Sequence, residues 1–188
     1  MDINKFVAQY TLKIAGGKPK ITRLWDSQDK KYIDVYKSMD VPDEGLQTCA
    51  TIGLNAVNIG FTLSDKPLRV ELIGACDVRN SFYEQLFATI SFAIMHFNRA
   101  YPGMMIPHAA ELYLSDCAMK HVMLWHPFVW GDDIDTIEAD GRYITWLMPV
   151  LISDAEYQYA QQHGVEALES LLEEADIDIY NFYRDSVL

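Results

Sequence analysis

Four stretches of the chain place apolar side chains at the three- and four-residue spacing of an amphipathic helix, which predicts a helix over each. They are residues 2–15, 81–100, 153–163 and 165–174. Ser81 with Glu84 three residues later, and Ser153 with Glu156, predict that the second and third helices begin with a capping box. Gly16 follows the first helix, as is common where a helix ends.

Seven other stretches are rich in β-branched, aromatic and other apolar residues, which predicts strands. They are residues 20–25, 32–36, 47–54, 68–75, 110–114, 120–125 and 143–151. The last is almost continuously apolar, which indicates a central strand covered on both faces. Since helices and strands are interspersed without a regular βαβ repeat, we predict an α+β fold with a mixed, mostly antiparallel sheet and flanking helices. We expect residues 1–188 to form a single domain, with the apolar residues after 174 packing back onto it.

Charge is distributed unevenly along the chain. Residues 1–131 carry 13 acidic and 13 basic side chains, whereas residues 132–188 carry 14 acidic side chains and only Arg142 and Arg184. The net charge of −12 therefore lies in the last third of the sequence. Such a lobe repels nucleic acid and anionic membranes and attracts a basic partner. The alternative interpretation is ordinary solubility charge on surface helices.

The composition is that of a globular protein, with 50% hydrophobic and 12% aromatic residues. The sequence shows no signal-peptide pattern, and no apolar run reaches the ~18 residues needed to cross a bilayer. Cys49, Cys76 and Cys117 are far apart and odd in number, which indicates neither a disulfide framework nor a zinc knuckle. We therefore expect a cytoplasmic protein in a reducing compartment.

No motif for catalysis or for cofactor binding occurs, so we predict no catalytic residues, no cofactor and no metal site. His121 and His126 would point to opposite faces of a strand, which does not suit a shared set of metal ligands. Asp132, Asp133 and Asp135 could ligate Ca²⁺ or Mg²⁺, but they do not match a calcium-binding loop. The alternatives for them are a solvated acidic loop, a metal-assisted enzyme, or a surface that receives a basic partner.

Short motifs spread over nearly the whole chain form an ordered set. They are residues 16–21 (GGKPKI), 41–45 (VPDEG), 50–54 (ATIGL), 69–72 (RVEL), 120–124 (KHVML) with 126–128 (HPF), 149–157 (PVLISDAEY) and 164–168 (GVEAL). In this order the set resembles bacterial suppressor-of-fused-like proteins. The resemblance implies the mixed α/β suppressor-of-fused-like fold and a protein that binds another protein, with no catalytic residues to transfer.

The bacterial proteins of this family resemble immunity proteins or antitoxins of polymorphic toxin systems. The resemblance implies a cognate toxin as the partner, of the LXG type, with a nuclease as its C-terminal domain. In animals the domain belongs to a regulator that sequesters a transcription factor by clasping its peptide as an added strand. An immunity protein is therefore the first prediction, and a peptide-binding scaffold that acts by strand addition is the alternative. A purely structural subunit of an oligomer is a further possibility, and the oligomeric state is left open.

The candidate contacts with a toxin combine an aromatic bend with the acidic loop. Phe128 and Trp130 flank a bend made by Pro127 and are the candidate apolar anchors, with a packed corner as the alternative. The candidate acidic contacts are Asp132, Asp133, Asp135, Glu138 and Asp140, with Glu166, Glu169, Glu173 and Glu174 as further candidates. An acidic surface can occupy the basic cleft of a nuclease, with association as fast as ~10⁸ M⁻¹s⁻¹. Salt dependence distinguishes the two functions, because it is steep for charge mimicry and shallow for strand addition.

Overall fold

A mixed sheet of nine strands forms the centre of the computed structural model, which describes residues 2–188. The strands are β1 (Lys20–Trp25), β2 (Tyr32–Met39), β3 (Leu46–Ile52), β4 (Thr62–Leu63), β5 (Lys66–Asp77), β6 (Met105–Ile106), β7 (Met119–Trp125), β8 (Ile137–Ala139) and β9 (Arg142–Ser153). The helices are α1 (Ile3–Ala15), α2 (Tyr83–Phe97), α3 (Asp154–His163) and α4 (Val165–Glu174).

The strand order is β1-β2-β3-β5-β9-β7-β6, with β4 paired to β5 and β8 paired to β9. All of these pairs are antiparallel except β5 with β9, which run parallel, with Leu68 opposite Tyr143 and Leu72 opposite Leu147. The structure confirms the predicted α+β fold with a mostly antiparallel sheet. It also confirms that the apolar stretch now seen as β9 is central, because β5 and β7 lie on its two sides.

Helices cover both faces of the sheet, so the core has two layers. Neighbouring residues of β5 show the division, because successive side chains of a strand point to opposite faces. Leu72 packs in the core layer that contains Phe87 of α2. Ile73 packs in the other layer, with Val7 of α1 and Leu168 of α4. The amphipathic stripes that predicted these helices are thus the surfaces buried against the sheet.

Gly74 of β5 lies close to Tyr83 and Phe87 of α2. A Cβ atom at this position would collide with the hydroxyl of Tyr83 and crowd the ring of Phe87 and the ring of Pro149. We therefore expect Gly74→Ala to lower the free energy of unfolding by about 1–3 kcal/mol, because overpacking forces neighbours out of position. Urea denaturation measures the loss. A double variant with Tyr83→Phe, which removes the colliding oxygen, should regain most of it, and an unchanged midpoint for Gly74→Ala would contradict the expectation.

Two local predictions are wrong. Residues 110–114 form turns rather than a strand, with the amide of Leu114 donating to the carbonyl of Ala110. These two buried residues are four apart and lie on one side of a helical turn, whereas Leu112 between them is 87% exposed. The predicted capping box at Ser81 is also absent, because α2 begins at Tyr83 and residue 82 makes no side-chain cap.

The other helix starts agree with the sequence. The side chain of Asp2 accepts hydrogen bonds from the amides of Asn4 and Lys5 at the start of α1. The capping box predicted at α3 is present, since the Ser153 hydroxyl accepts from the amide of Glu156 (3.1 Å) and the Glu156 carboxylate accepts from the amide of Ser153 (2.8 Å). These bonds satisfy amides that the first turn of a helix leaves without partners.

Residues 175–188 pack back across the start of α3, as predicted. Arg184 is the main attachment: its Nη1 and Nη2 atoms donate to the two carboxylate oxygens of Glu156 at 2.7 and 2.8 Å, and Nη2 also donates to the carbonyl of Leu151. The amide of Val187 donates to the same carboxylate. Burial alone would raise the pKa of Glu156, but Arg184 and the amides of Ser153 and Val187 outweigh it, so its pKa lies below the ordinary value.

A second buried carboxylate fixes the turn that follows β3. Glu71 of β5 is fully buried and accepts hydrogen bonds from the hydroxyl of Thr51 and from the amides of Gly53, Leu54 and Asn55. The side-chain amide of Asn55 donates to it as well, at 2.7 Å. Burial raises the pKa of Glu71, and these donors act against that rise.

Candidate partner-binding surface

The bend that follows β7 separates the two candidate aromatic anchors. Residues 128–133 form a short 3₁₀ segment that kinks at Gly131, which has a positive φ of 48°. Phe128 is 56% exposed, whereas Trp130 is 7% exposed and packs in the core layer that contains α1 and α4. Trp130 therefore belongs to a packed corner, and Phe128 is the anchor candidate that a partner can reach.

Asp132, Asp133 and Asp135 are all exposed and lie together beside α1. Tyr10 of α1 holds the loop in place: its hydroxyl donates to the carbonyl of Asp135 (3.1 Å) and accepts from the amide of the same residue (2.9 Å). The Tyr10 ring packs on Trp146 of β9, with ring centroids 4.8 Å apart. The loop is thus anchored while its carboxylates face solvent. Within residues 2–188, none of these three carboxylates forms an ion pair.

Glu138 and Asp140 differ from the three aspartates, because each already has a cationic neighbour. Glu138 forms an ion pair with Lys66 at the start of β5, and this contact lowers the pKa of the carboxyl and raises that of the ammonium. Asp140 lies 3.3 Å from the guanidinium of Arg142 across the β8–β9 turn. A basic partner would have to replace these contacts before it could pair with either carboxylate.

A groove of about 420 Å³ lies between α4, the sheet and the segment after α4. Its apolar floor is formed by Met123, Val150, Leu172, Ile177 and Ile179. Phe128 stands at one side, and three carboxylates line it: Glu169, Glu173 and Asp176. We call this feature the α4 groove. The indole nitrogen of Trp125 donates to Glu169 at 2.7 Å and fixes that carboxylate in the groove wall.

The sequence identified only part of the α4 groove. Glu169 and Glu173 were candidate contacts, and both line it, whereas Glu166 and Glu174 are exposed on α4 outside it. Asp176 was not singled out. The apolar residues Ile177 and Ile179 were expected to pack back, but the sequence carried no sign that they would leave a groove beside α4.

His121 of β7 makes structural contacts, whereas His126 lies just beyond the strand and is exposed. His121 is 2% exposed, its Nε2 lies 2.7 Å from Asp154 Oδ1, and its Nδ1 accepts from the amide of His108. The hydrogen bond with His121 and the charge of Lys120 lower the pKa of Asp154. Within residues 2–188, no group of three or more His, Cys, Asp or Glu side chains is arranged to hold a metal ion, and no helix is long and apolar enough to cross a membrane.

Comparison with known proteins identifies the family. The model of the suppressor of fused protein (SUFU) family matches residues 29–185, and the chain belongs to this family. The chain is 35% identical over 186 residues to immunity protein YqcF of Bacillus subtilis (strain 168), covering 98% of this chain and 97% of that protein. The predicted family resemblance is thereby confirmed.

Solved structures share the fold. A suppressor of fused homologue from Neisseria gonorrhoeae FA 1090 superposes with a TM-score of 0.71 at 17% identity, covering 100% of this chain and 98% of the homologue. A chain of the Sufu–Fu complex superposes with a TM-score of 0.67 at 15% identity, covering 98% of this chain and 90% of that chain. The chain therefore has the suppressor of fused fold.

Proposed function

We propose that this protein is an immunity protein that binds and neutralises a toxin in the cytoplasm of the cell that makes both. The 35% identity to immunity protein YqcF over almost the whole of both chains carries this proposal. The exposed acidic surface agrees with it, because such a surface suits a basic protein partner and disfavours nucleic acid or an anionic membrane. The action is binding rather than catalysis.

The toxin domain that fits this surface best is a nuclease, such as the C-terminal domain of an LXG-type toxin. A nuclease presents a basic cleft to the phosphates of its substrate, and the carboxylates of an immunity protein can occupy that cleft. Asp132, Asp133 and Asp135 are suited to this role, because they are exposed and, in the part of the chain that the structure describes, have no ion pair to break. Glu138 and Asp140 are secondary contacts, because each already forms an ion pair, Glu138 with Lys66 and Asp140 with Arg142.

The deciding experiment is a binding titration against the C-terminal domain of the toxin encoded beside this protein's gene, at low and at high salt. We expect tight binding that weakens as salt rises, together with loss of nuclease activity in the complex. Absence of binding at both salt concentrations would contradict the immunity function. Binding without loss of nuclease activity would contradict the nuclease-inhibitor part of the proposal and leave the toxin-binding part standing.

The loop that carries Asp132, Asp133 and Asp135, which we call the aspartate loop, gives a more specific prediction. We expect the double variant Asp132→Lys and Asp133→Lys to slow association with the toxin domain by about 10-fold to 100-fold at low salt, because electrostatic steering acts mainly on the association rate. Stopped-flow or surface-binding kinetics measure the rate. The control replaces Asp43 and Glu44 with lysine, because both are exposed and lie outside the acidic residues 132–188. Equal slowing by both pairs would show an effect of net charge alone.

Strand addition at β1 is the second candidate. Within residues 2–188, β1 is hydrogen-bonded to a strand on one side only, and Ile21 and Trp25 on it are 52% and 50% exposed. An unpaired edge with exposed apolar side chains can accept an extended peptide. Main-chain hydrogen bonds would then supply the affinity, so the same titration would show tight binding with a shallow dependence on salt.

A further inference from the structure

The three carboxylates of the α4 groove lie in an electrostatically unfavourable arrangement. Glu169, Glu173 and Asp176 follow one another at spacings of four and three residues, so they share one side of α4 and its end. Like charges at this spacing destabilise a helix. Glu173 also lies at the C-terminal end, where the helix dipole favours cations, and the last turn of α4 contains no basic residue.

Nothing within residues 2–188 neutralises these charges. None of the three carboxylates forms an ion pair there, and the contact made to Glu169 is a hydrogen bond from the neutral indole of Trp125. A lysine or arginine side chain placed in the groove would meet both the carboxylates and the carbonyl end of the helix dipole. The rim of the α4 groove is therefore complementary to a positively charged ligand.

The floor of the groove requires an apolar ligand. Its volume of about 420 Å³ falls within the range of cavities that hold ligands, roughly 300–1,000 Å³, and gives room for more than one side chain. Leu172 and Val150 are buried beneath it, and the ring of Phe128 at its side is 56% exposed. Covering this surface is favourable, because it removes apolar area from water.

We propose that the α4 groove binds one segment of the toxin in which apolar side chains are flanked by lysine or arginine, a proposal that rests on the proposed immunity function. The apolar side chains occupy the floor, and the basic side chains pair with Glu173 and Asp176 at the rim. Phe128 connects the two parts of the interface, because the segment that begins with it leads directly to the aspartate loop. One toxin domain can therefore contact the groove and the aspartates together.

The test compares two pairs of charge reversals made on the same part of the chain. Glu173→Lys with Asp176→Lys changes the groove rim, whereas Glu166→Lys with Glu174→Lys makes the same change of charge at exposed positions of α4 outside the groove. We expect the first pair to weaken binding of the toxin domain by about tenfold or more, and the second pair by no more than about twofold. Equal effects of the two pairs, or no effect of either, would overturn the groove proposal.

A second probe separates this proposal from the immunity function. The probe is a fluorescein-labelled synthetic peptide with a central Leu-Trp-Leu segment flanked by arginines, and its counterpart has glutamates in place of the arginines. We expect the arginine peptide to bind the unaltered protein and to bind the Glu173/Asp176 variant about tenfold more weakly, with no binding of the glutamate peptide. If the toxin domain does not bind, the immunity function fails while the peptide still decides the groove. If the arginine peptide binds the Glu173/Asp176 variant and the Glu166/Glu174 variant equally, the groove proposal fails.

Discussion

Replacing Glu156 with alanine is expected to lower the free energy of unfolding by about 3–5 kcal/mol, because it leaves the guanidinium of Arg184 buried without its counter-charge. The Arg184 side chain is 8% exposed, and the Glu156 side chain is fully buried. The substitution also removes the acceptor for the amides of Ser153 and Val187, so both the start of α3 and the attachment of the C-terminal segment are affected. Urea denaturation followed by circular dichroism measures the loss.

The control for this prediction is the double variant Glu156→Ala and Arg184→Met. It removes both charges of the buried ion pair. It should therefore be more stable than Glu156→Ala alone, even though one more native side chain has been replaced. If the double variant were the less stable of the two, an unpaired buried charge would not be the cause of the loss.

The same pair predicts a pH dependence. The pKa of Glu156 in the folded protein lies below its ordinary value of 4.5, so the folded state favours the ionised form. The stabilisation is fully present above pH 4.5 and is lost as the pH falls through the lowered folded-state pKa. The stability difference between the unaltered protein and Glu156→Ala should therefore be constant at neutral pH and become smaller below pH 4.5. A difference that grew on acidification would contradict this assignment.

Replacing Glu71 with alanine is expected to cost about 3 kcal/mol or more, because several buried donors lose their common acceptor at once. These donors are the hydroxyl of Thr51, the amides of Gly53, Leu54 and Asn55, and the side-chain amide of Asn55. The turn they define also contacts α1, since the side-chain amide of Asn55 donates to Asn4. The loss should therefore appear in hydrogen exchange as reduced protection of both the turn and the start of α1.

Glu71→Gln is the matched variant for this site, because it keeps the volume and removes the charge. One carboxylate oxygen is replaced by the NH2 of a side-chain amide, which cannot accept the hydrogen bonds that this oxygen accepted. We therefore expect a loss of stability smaller than that of Glu71→Ala but still measurable by urea denaturation. Unchanged stability of Glu71→Gln would indicate that the carboxyl group is protonated in the folded protein and that the assignment of five donors to it is wrong.

Local patterns of apolar and polar residues predicted most of the long helices and strands, because the core is built around a single sheet and these elements bury their apolar faces in it. Residues 165–174 form α4 as expected, and the box of Ser153 and Glu156 begins α3. The strand predicted at residues 110–114 is absent, because apolar residues four apart can also be buried by a turn. A short strand was missed at β8, although Asp140-Gly141 after it forms a two-residue turn with both φ angles positive, a typical hairpin signal.

The candidate site was less predictable, since it depends on contacts between distant parts of the chain. The acidic character of residues 132–188 is visible in the sequence, but the partners of individual carboxylates are not. Lys66 neutralises Glu138 only because the β4–β5 turn lies beside β8, and Trp130 is buried only because α1 and α4 share a layer. The α4 groove likewise requires β7 to lie beside β9, with Met123 opposite Val150, and no local pattern specifies that pairing.

The attachment of Arg184 to Glu156 can form only late in the synthesis of the chain. β5 leaves the ribosome early, but its parallel neighbour β9 begins at Arg142, and the guanidinium that completes the buried pair follows more than 40 residues later. Residues 165–180, which include the α4 side of the groove, also follow β9. A nascent chain therefore lacks the parallel partner of β5 until β9 has left the ribosome, and the buried ion pair can form only after Arg184 has followed.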